Sequence, residues 1–242
     1  VWQYGINSFL DGFVMIERKR SGGRLGNKRR TSSLIPAQMP WKQPVNIDSP
    51  TEPLNADGVQ KIHNGCMKIL KEIGIEFLNP EALEIFKKAG CKVVGTNVKM
   101  DEDFVMEMLK SVPSNFAITP RNKDREIIIG GRHMAFGNVS SAPNSWDLKR
   151  GKRSGTWESY VEFIKLTQFF NCIHFAGGYP VEPIDIHPSV RHLECLYEKL
   201  TLTDKAVHAY SLGKERVEDV MEMTRIAGGL SVEEFNSKCH MY

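Results

Sequence analysis

From Met134 onward, the chain repeats three times a short apolar run, a polar loop and an amphipathic helix. The apolar runs predict strands near Met134–Val139, at Cys172–Ala176 and at Ala206–Leu212. Strands that alternate with helices predict a parallel sheet with right-handed crossovers. At about 35 residues a unit, eight units need on the order of 280 residues, which suits a (β/α)8 TIM barrel. Residues 134–242 are therefore either a small open sheet or the first three βα units of a partial TIM barrel in an α/β fold.

The three helices of this repeat begin at recognisable residues. Thr156 is a good N-cap for the first helix, Pro188 suits the first turn of the second, and Gly213 precedes the third. The loop of the first unit is expected to run from Ser140 to Gly155, and that of the second from Gly177 to His187.

A different pattern precedes the repeat and predicts a small α+β region over residues 54–133. A helix from Asp57 to a C-cap at Gly74 carries one apolar stripe. Gly130-Gly131 separates two β-prone runs and predicts a hairpin between Arg125–Ile129 and Arg132–Gly137. The helical stripe consists of Val59, Ile62, Cys66, Ile69, Leu70 and Ile73.

Residues 1–53 are predicted to form an extended or disordered basic arm. Residues 1–30 hold seven Arg and Lys against Asp11 and Glu17, a charge of +5 within a chain whose net charge is +3. The basic run Arg18–Arg30 has no aromatic partners and no folded module, so we expect no nucleic-acid binding. Residues 1–14 are expected to be non-native and Met15 to be the start, and the last residues suggest a chain cut within its fold.

The cysteines favour a reducing compartment. All five are scattered, with no Cys-x-x-Cys pair, which is typical of reduced thiols in a cytoplasmic protein.

The sequence contains no run of about eighteen apolar residues that would predict a membrane span. No histidine and cysteine cluster at ligand spacing predicts a metal site.

Polar residues follow the ends of the three predicted strands, where α/β barrels keep their chemistry. If the strands are parallel neighbours, these loops meet on one face. Carboxylates supply negative potential, and aromatic faces attract an ammonium group that has no N–H to donate. The candidate substrate-binding residues are Asp147, His174, Tyr179, Glu182, Asp185 and Tyr210.

Several of these residues have an equally good structural interpretation. Glu182 and Asp185 each follow a proline and can simply shape turns. His174 lies within a predicted strand, where it can bind or protonate a ligand or be a hydrogen-bonded core histidine. Gly177-Gly178 can let a ligand approach the backbone or permit a tight turn. The residues alone leave these alternatives open, and they assign no catalytic residue.

Several motifs, in order, resemble the trimethylamine:corrinoid methyltransferase family, which also acts on quaternary amines. They include IHNGCMKILKEIGIEF at 62–77, FGNVSSAPNSWDLKRGKRSGTWESY at 136–160, HFAGGYPVEPID at 174–185 and LTLTDK at 200–205. The resemblance extends from about residue 18 onward and corresponds to the N-terminal half of family members.

The resemblance implies a TIM barrel that transfers a methyl group from a methylated amine to the cobalt of a corrinoid (cobalamin). The corrinoid is carried by a partner protein, with no cofactor bound directly to this chain. Trimethylamine and betaine-like quaternary amines are both possible substrates. The chain is expected to be an incomplete enzyme, and it is a possible homo-oligomer. The alternative is a non-catalytic methylated-amine-binding protein or an inactive remnant.

Overall fold

The computed structural model describes residues 35–210 and 212–242. The chain divides into two compact units, residues 1–40 and residues 41–242. Of the first unit, residues 35–40 are described and carry neither helix nor strand. The basic run Arg18–Arg30 and the proposed start at Met15 lie outside the described residues. The predicted domain boundaries at residues 53 and 133 stay predictions.

The second unit begins with a small α+β assembly, as its sequence predicts. Helix α1 (Ala56–Lys68) continues into a π-helical turn that ends at Gly74, whose φ of 84° is easy only for glycine. Strand β1 (Ile75–Glu76), helix α2 (Pro80–Lys88), strands β2 (Lys92–Val94) and β3 (Asn97–Lys99) and helix α3 (Glu102–Leu109) follow. The three strands form an antiparallel sheet in the order β1-β3-β2.

The apolar stripe on the first helix is largely exposed. Val59 and Ile62 on α1, and Ile69 and Ile73 on the π-helical turn, are each more than half exposed. The helical period correctly identifies an apolar face. However, the helical spacing does not show which part of the protein packs on that face. Among the described residues, nothing covers it.

The hairpin predicted around Gly130-Gly131 is wrong. Strand β5 (Ile127–Gly130) pairs antiparallel with the preceding strand β4 (Asn115–Ile118). Gly130 and Gly131 both have positive φ and turn the chain away from this pair. The following residues meet the arm instead, through an antiparallel bridge between Val45 and His133.

Three parallel segments lie side by side in the C-terminal region. Strand β8 (Phe175–Ala176) pairs in parallel with strand β9 (Ala206–Val207), and Gly137 forms a parallel bridge with Phe175. The strand predicted at Met134–Val139 is thus reduced to a single bridge, and the other two predicted strands are shorter than expected. The last residue joins the other side of β9, because Tyr242 N donates to Val207 O and Ala209 N donates to Tyr242 O.

Helices connect these segments as predicted. Helix α4 (Trp157–Phe169) has Thr156 as its N-cap, α5 (Pro188–Leu202) begins at Pro188, and α6 (Lys214–Gly228) follows Gly213. A short helix, α7 (Val232–Asn236), precedes the last segment. Residues 140–155 contain a hairpin that the sequence prediction missed, formed by β6 (Asn144–Asp147) and β7 (Gly151–Ser154).

The described residues therefore mix helices and strands in the manner of an α/β fold, and they form no closed barrel. None of the described helices combines the length and the apolar character that crossing a membrane requires. The largest buried cluster joins α4, the loop after β8 and α5, and contains Tyr160, Ile164, Tyr179, Val181 and Cys195.

Candidate functional site

The turn Gly177-Gly178-Tyr179 follows strand β8 and is held by side chains from the neighbouring segments. Gly177 N donates to Asn138 Oδ1 at 2.8 Å, and Gly178 N donates to Ser140 Oγ at 2.6 Å. Tyr179 N donates to the hydroxyl of Tyr210 at 2.6 Å. Three consecutive backbone N–H groups thus find partners on the two adjacent loops, which fixes the turn in one position.

The carbonyls of the same turn accept hydrogen bonds from a buried lysine. Lys199 on α5 is 2% exposed, and its Nζ donates to Gly177 O at 2.8 Å and to Gly178 O at 3.1 Å. Burial lowers the pKa of Lys199 to about 8, because leaving water disfavours the charged form. This lysine connects helix α5 to the turn, and it forms no ion pair with a carboxylate of the described residues.

Close packing explains the two glycines of the turn. A Cβ on Gly177 would lie 2.8 Å from Asn138 O, and one on Gly178 would lie 2.3 Å from the Tyr210 hydroxyl oxygen. Of the two earlier interpretations, the tight turn is therefore observed, with protein atoms occupying the space beside both glycines.

Tyr179 and Tyr210 lie against each other at the ends of the second and third segments. Their ring centroids are 4.2 Å apart, and Tyr160 meets the edge of Tyr179 at 6.0 Å. The Tyr210 hydroxyl also lies 3.0 Å from Ser141 Oγ, on the loop that follows the first segment. Tyr179 is 7% exposed, whereas Tyr210 is partly exposed, so Tyr210 is the ring of this pair that a ligand can reach.

Burial raises the pKa of Tyr179 and that of Tyr160 above the ordinary range of a phenol. Both hydroxyls are therefore neutral at physiological pH. Neutral phenols keep an electron-rich ring face for a cation without introducing a charge of their own.

His174 lies away from this pair, at the start of the second segment. Its Nδ1 accepts from Phe136 N at 3.0 Å, and its Nε2 lies 3.2 Å from Lys42 O. Since a carbonyl can only accept, Nε2 carries the proton, and the ring is a neutral bridge between the first segment and the arm. The core interpretation of His174 describes this arrangement well.

The three carboxylates that were expected to converge are each engaged elsewhere. Asp147 closes the β6–β7 turn, where the backbone N–H of Arg150 and the side chains of Arg150 and Arg153 hold its pKa well below the usual range. Glu182 accepts from Arg191, whose guanidinium also donates to Ile186 O. The structure thus brings Tyr179 and Tyr210 together and leaves these carboxylates with protein partners.

Asp185 stabilises the start of helix α4. Its two carboxylate oxygens accept from Trp157 N at 2.8 and 3.0 Å. This N–H is one of the first four of the helix and has no partner within it. An acidic group there also interacts favourably with the helix dipole.

Replacing Asp185 with alanine should therefore lower the free energy of unfolding by about 1 kcal/mol. D185N keeps an oxygen acceptor and is expected to lose less than D185A. Urea denaturation of the two variants measures the difference. Equal stability of D185A and the unmodified chain would contradict the proposed role of Asp185.

His208 lies beside the tyrosine pair, and the sequence prediction did not include it among the candidate residues. It follows strand β9, and its ring lies 5.3 Å from Tyr210 and 4.9 Å from Tyr242. Burial, followed by the charge of Lys199, lowers its pKa below the ordinary value of 6.5. His208 and Tyr210 are two residues apart within the strand predicted at Ala206–Leu212. This spacing is a signal that could have placed both rings on one face.

The arrangement suits recognition of a cation by aromatic faces. Among residues 35–210 and 212–242, no three His, Cys, Asp or Glu side chains are grouped so that they could hold a metal ion. The shared face therefore carries two tyrosine rings tilted by 31° against each other, a neutral histidine beside them and a tightly packed glycine turn.

Comparison with known proteins identifies relatives for most of the chain. The family model described as trimethylamine methyltransferase (MTTB) matches residues 19–242. The glycine betaine methyltransferase of Desulfitobacterium hafniense strain Y51 is 41% identical over 176 residues, which are 73% of this chain and 37% of that protein. The proline betaine:corrinoid methyltransferase of Eubacterium limosum is 46% identical over 129 residues, 53% of this chain and 26% of that protein.

A trimethylamine methyltransferase, MttB of Desulfitobacterium hafniense strain DSM 10664 / DCB-2, is 28% identical over 173 residues. The match covers 69% of this chain and 34% of that protein. The matched part of the chain thus spans between 26% and 37% of the length of these three curated relatives.

Proposed function

Because the chain belongs to the trimethylamine methyltransferase family, we propose that it is part of an enzyme that demethylates a methylated amine. The methyl group passes to the cobalt of a corrinoid carried by a separate protein. A betaine-like quaternary amine is the favoured substrate class, since a relative at 41% identity is named for glycine betaine and one at 46% for proline betaine.

The observation that carries this proposal is the contact between Tyr179 and Tyr210. The two rings lie 4.2 Å apart at the ends of neighbouring parallel segments. An aromatic face attracts a quaternary ammonium through its quadrupole, and the attraction is worth about 2 kcal/mol when the cation is desolvated. Since Glu182, Asp185 and Asp147 already have partners, we assign the recognition of the cation to the rings, with Tyr210 as the accessible one.

The proposed architecture is the first part of a TIM barrel. Three adjacent parallel segments near Gly137, Phe175 and Ala206, with helices on the connections, support it. In such a barrel, the loops after the strands form the active site. Tyr179 and Tyr210 occupy that position.

Methyl transfer from a quaternary amine requires no general acid or base from these residues. A quaternary ammonium leaves as a neutral amine and needs no proton, whereas a tertiary amine must first be activated. The corrinoid supplies a cobalt(I) nucleophile when it is present. The chain's own contribution is to hold the N–CH3 bond in line and to exclude water from it.

The surface around the site fits a large, partly apolar partner such as a corrin ring. Each of the three loops carries an apolar side chain that is more than half exposed: Val139 after the first segment, Ile184 after the second and Leu212 after the third. Exposed apolar groups on the loops that border a site are typical of a binding surface. This observation supports the proposed corrinoid partner without assigning a ligand to the cobalt.

Methyl transfer to reduced cobalamin tests the proposal directly, with glycine betaine, proline betaine, carnitine and trimethylamine as donors. We expect transfer from at least one betaine, a loss of at least about tenfold in Y210L and a smaller loss in Y210F, which keeps the ring. Y197L is the matched control, because Tyr197 lies on α5 and is 63% exposed. Binding of betaines without transfer would overturn the catalytic proposal in favour of a binding protein.

A further inference from the structure

We propose that this chain has a second ligand site, for a phosphate group, in a cleft at the opposite end of the parallel segments. The cleft has a volume of about 330 Å³ and lies between the residues after β4, the end of α6 and the segment around α7. This volume is ample for a phosphate or a small phosphate ester. Its lining includes Thr119, Arg121, Lys123, Thr224, Lys238 and His240.

The position of the cleft separates it from the tyrosine pair. Arg121 Nη2 donates to Thr203 O at 3.1 Å, just before strand β9 begins. Tyr210, by contrast, follows the end of β9. A ligand in the cleft therefore does not contact the candidate methyltransferase site.

Two residues that line the cleft, Thr224 and His240, each carry a buried polar atom without a hydrogen-bond partner. Thr224 is 7% exposed, and its hydroxyl oxygen is unpaired; the Nε2 of His240 is likewise buried and unpaired. Leaving such a group unsatisfied costs about 1–3 kcal/mol, so each calls for an explanation. A ligand in the cleft would supply partners for both.

The His240 ring is oriented so that its free nitrogen can serve a phosphate. Nδ1 lies 2.8 Å from Thr119 O, and it therefore carries a proton and donates. Nε2 can then accept from the hydroxyl of a monohydrogen phosphate, or donate to a phosphate oxygen once the ring is protonated. Phe235 stacks on the ring at 5.2 Å and limits its rotation.

The charge of the cleft favours an anion. Arg121, Lys123 and Lys238 form no ion pair with any carboxylate in the described part of the chain. The acidic group in the lining is Glu234, and its carboxylate already accepts from Ser231 N at 2.8 Å as part of a helix cap. Three cations against one carboxylate leave an excess of positive charge, and arginine presents paired donors that suit phosphate oxygens.

Calorimetric titration of the full chain with inorganic phosphate and with glycerol phosphate, at constant ionic strength, tests the proposal. We expect saturable binding with a Kd of about 1 mM or tighter. R121M should weaken it by about tenfold or more and T224V by about threefold, from the usual strengths of charged and neutral hydrogen bonds. Tighter binding of the ester than of inorganic phosphate would identify an organic phosphate as the ligand, and the reverse would identify the free ion.

A second variant and a control keep the test decisive if R121M fails to fold. The double variant K123M/K238M removes two cations that form no ion pair within residues 35–210 and 212–242, and phosphate affinity should fall by about tenfold. K152M, on the distant β6–β7 hairpin, should leave it unchanged. Equal effects of K152M and K123M/K238M, absence of saturation, or equal binding of acetate would overturn the assignment, and none of these outcomes bears on methyl transfer.

Discussion

Replacing Gly178 with alanine is expected to destabilise the protein by about 3 kcal/mol, near the upper end of the range for overpacked substitutions. The new Cβ would lie 2.3 Å from the Tyr210 hydroxyl oxygen and 2.9 Å from Ser140 Oγ. Both atoms accept hydrogen bonds from this turn, so a displacement that relieves the clash also weakens the bonds to Gly178 N and Tyr179 N. One methyl group therefore disturbs packing and hydrogen bonding together.

Chemical denaturation measures this loss, and Gly65 provides the matched control. Gly65 lies within α1, where a Cβ meets no atom within 4 Å. G65A should therefore stabilise the chain, by about 0.5–1 kcal/mol, because alanine has the higher helix propensity. If G178A and G65A shifted stability in the same direction, the turn would not be packed as described.

Stability should rise by about 2 kcal/mol between pH 7 and pH 9, because two buried lysines lose their protons in the folded state first. Burial lowers the pKa of Lys199 to about 8, and burial together with the charge of Arg125 lowers that of Lys205 to about 8. In the unfolded chain, both lysines titrate near 10.5. Above pH 8, the unfolded state therefore binds more protons, and the free energy of unfolding increases with pH.

At about pH 10 the trend should reverse. Burial raises the pKa of Cys195 to about 12 and also raises those of Tyr160 and Tyr179. These groups lose their protons at lower pH in the unfolded state than in the folded state. Their ionisation therefore lowers the free energy of unfolding as the pH rises past about 9 for the thiol and about 10 for the phenols. Because the unfolded lysines keep most of their protons to about pH 10, the lysine contribution still grows above pH 9, and the chain should be most stable between about pH 9 and pH 10.

Denaturation at a series of pH values tests this prediction, and K199M identifies the source. Removing Lys199 should about halve the rise between pH 7 and pH 9, whatever it does to absolute stability. A stability that is flat or falls over this interval would show that the two ammonium groups are not buried as described.

Local signals allowed the helices to be predicted well. Thr156, Pro188 and Gly74 act within a turn of their own position, through capping, a fixed φ and positive φ respectively. Each is found where the sequence predicts it. The parallel order of the three segments also follows from the strand–helix alternation.

Pairings between distant residues could not be predicted. Gly130-Gly131 has the composition of a hairpin, yet β5 pairs with β4 and the next residues pair with Val45. The choice depends on which partner strand buries more surface, which local composition does not encode. The β6–β7 hairpin was missed because its turn relies on Asp147 and its arginine partners instead of an Asn-Gly or Gly-Gly pair.

Only part of the arrangement around the candidate site could be predicted, again because contacts between distant residues are not encoded in the local sequence. Tyr179 and Tyr210 follow from their positions after two neighbouring strands. The partners of Glu182 and Asp185 are Arg191 and the start of α4, and nothing in the residue types indicates these contacts. The burial of Lys199 against the glycine turn depends on the angle of α5, which the sequence pattern leaves undetermined.

Binding of glycine betaine, compared with its tert-butyl isostere in which carbon replaces the quaternary nitrogen, tests the central claim most directly. The two molecules share shape and carboxylate and differ in the positive charge that an aromatic face recognises. We predict that the full chain binds the betaine at least about tenfold more tightly, and that Y210L removes this preference whereas Y210F and Y197L keep it. Equal affinity for both molecules, or a preference that survives in Y210L, would contradict the account.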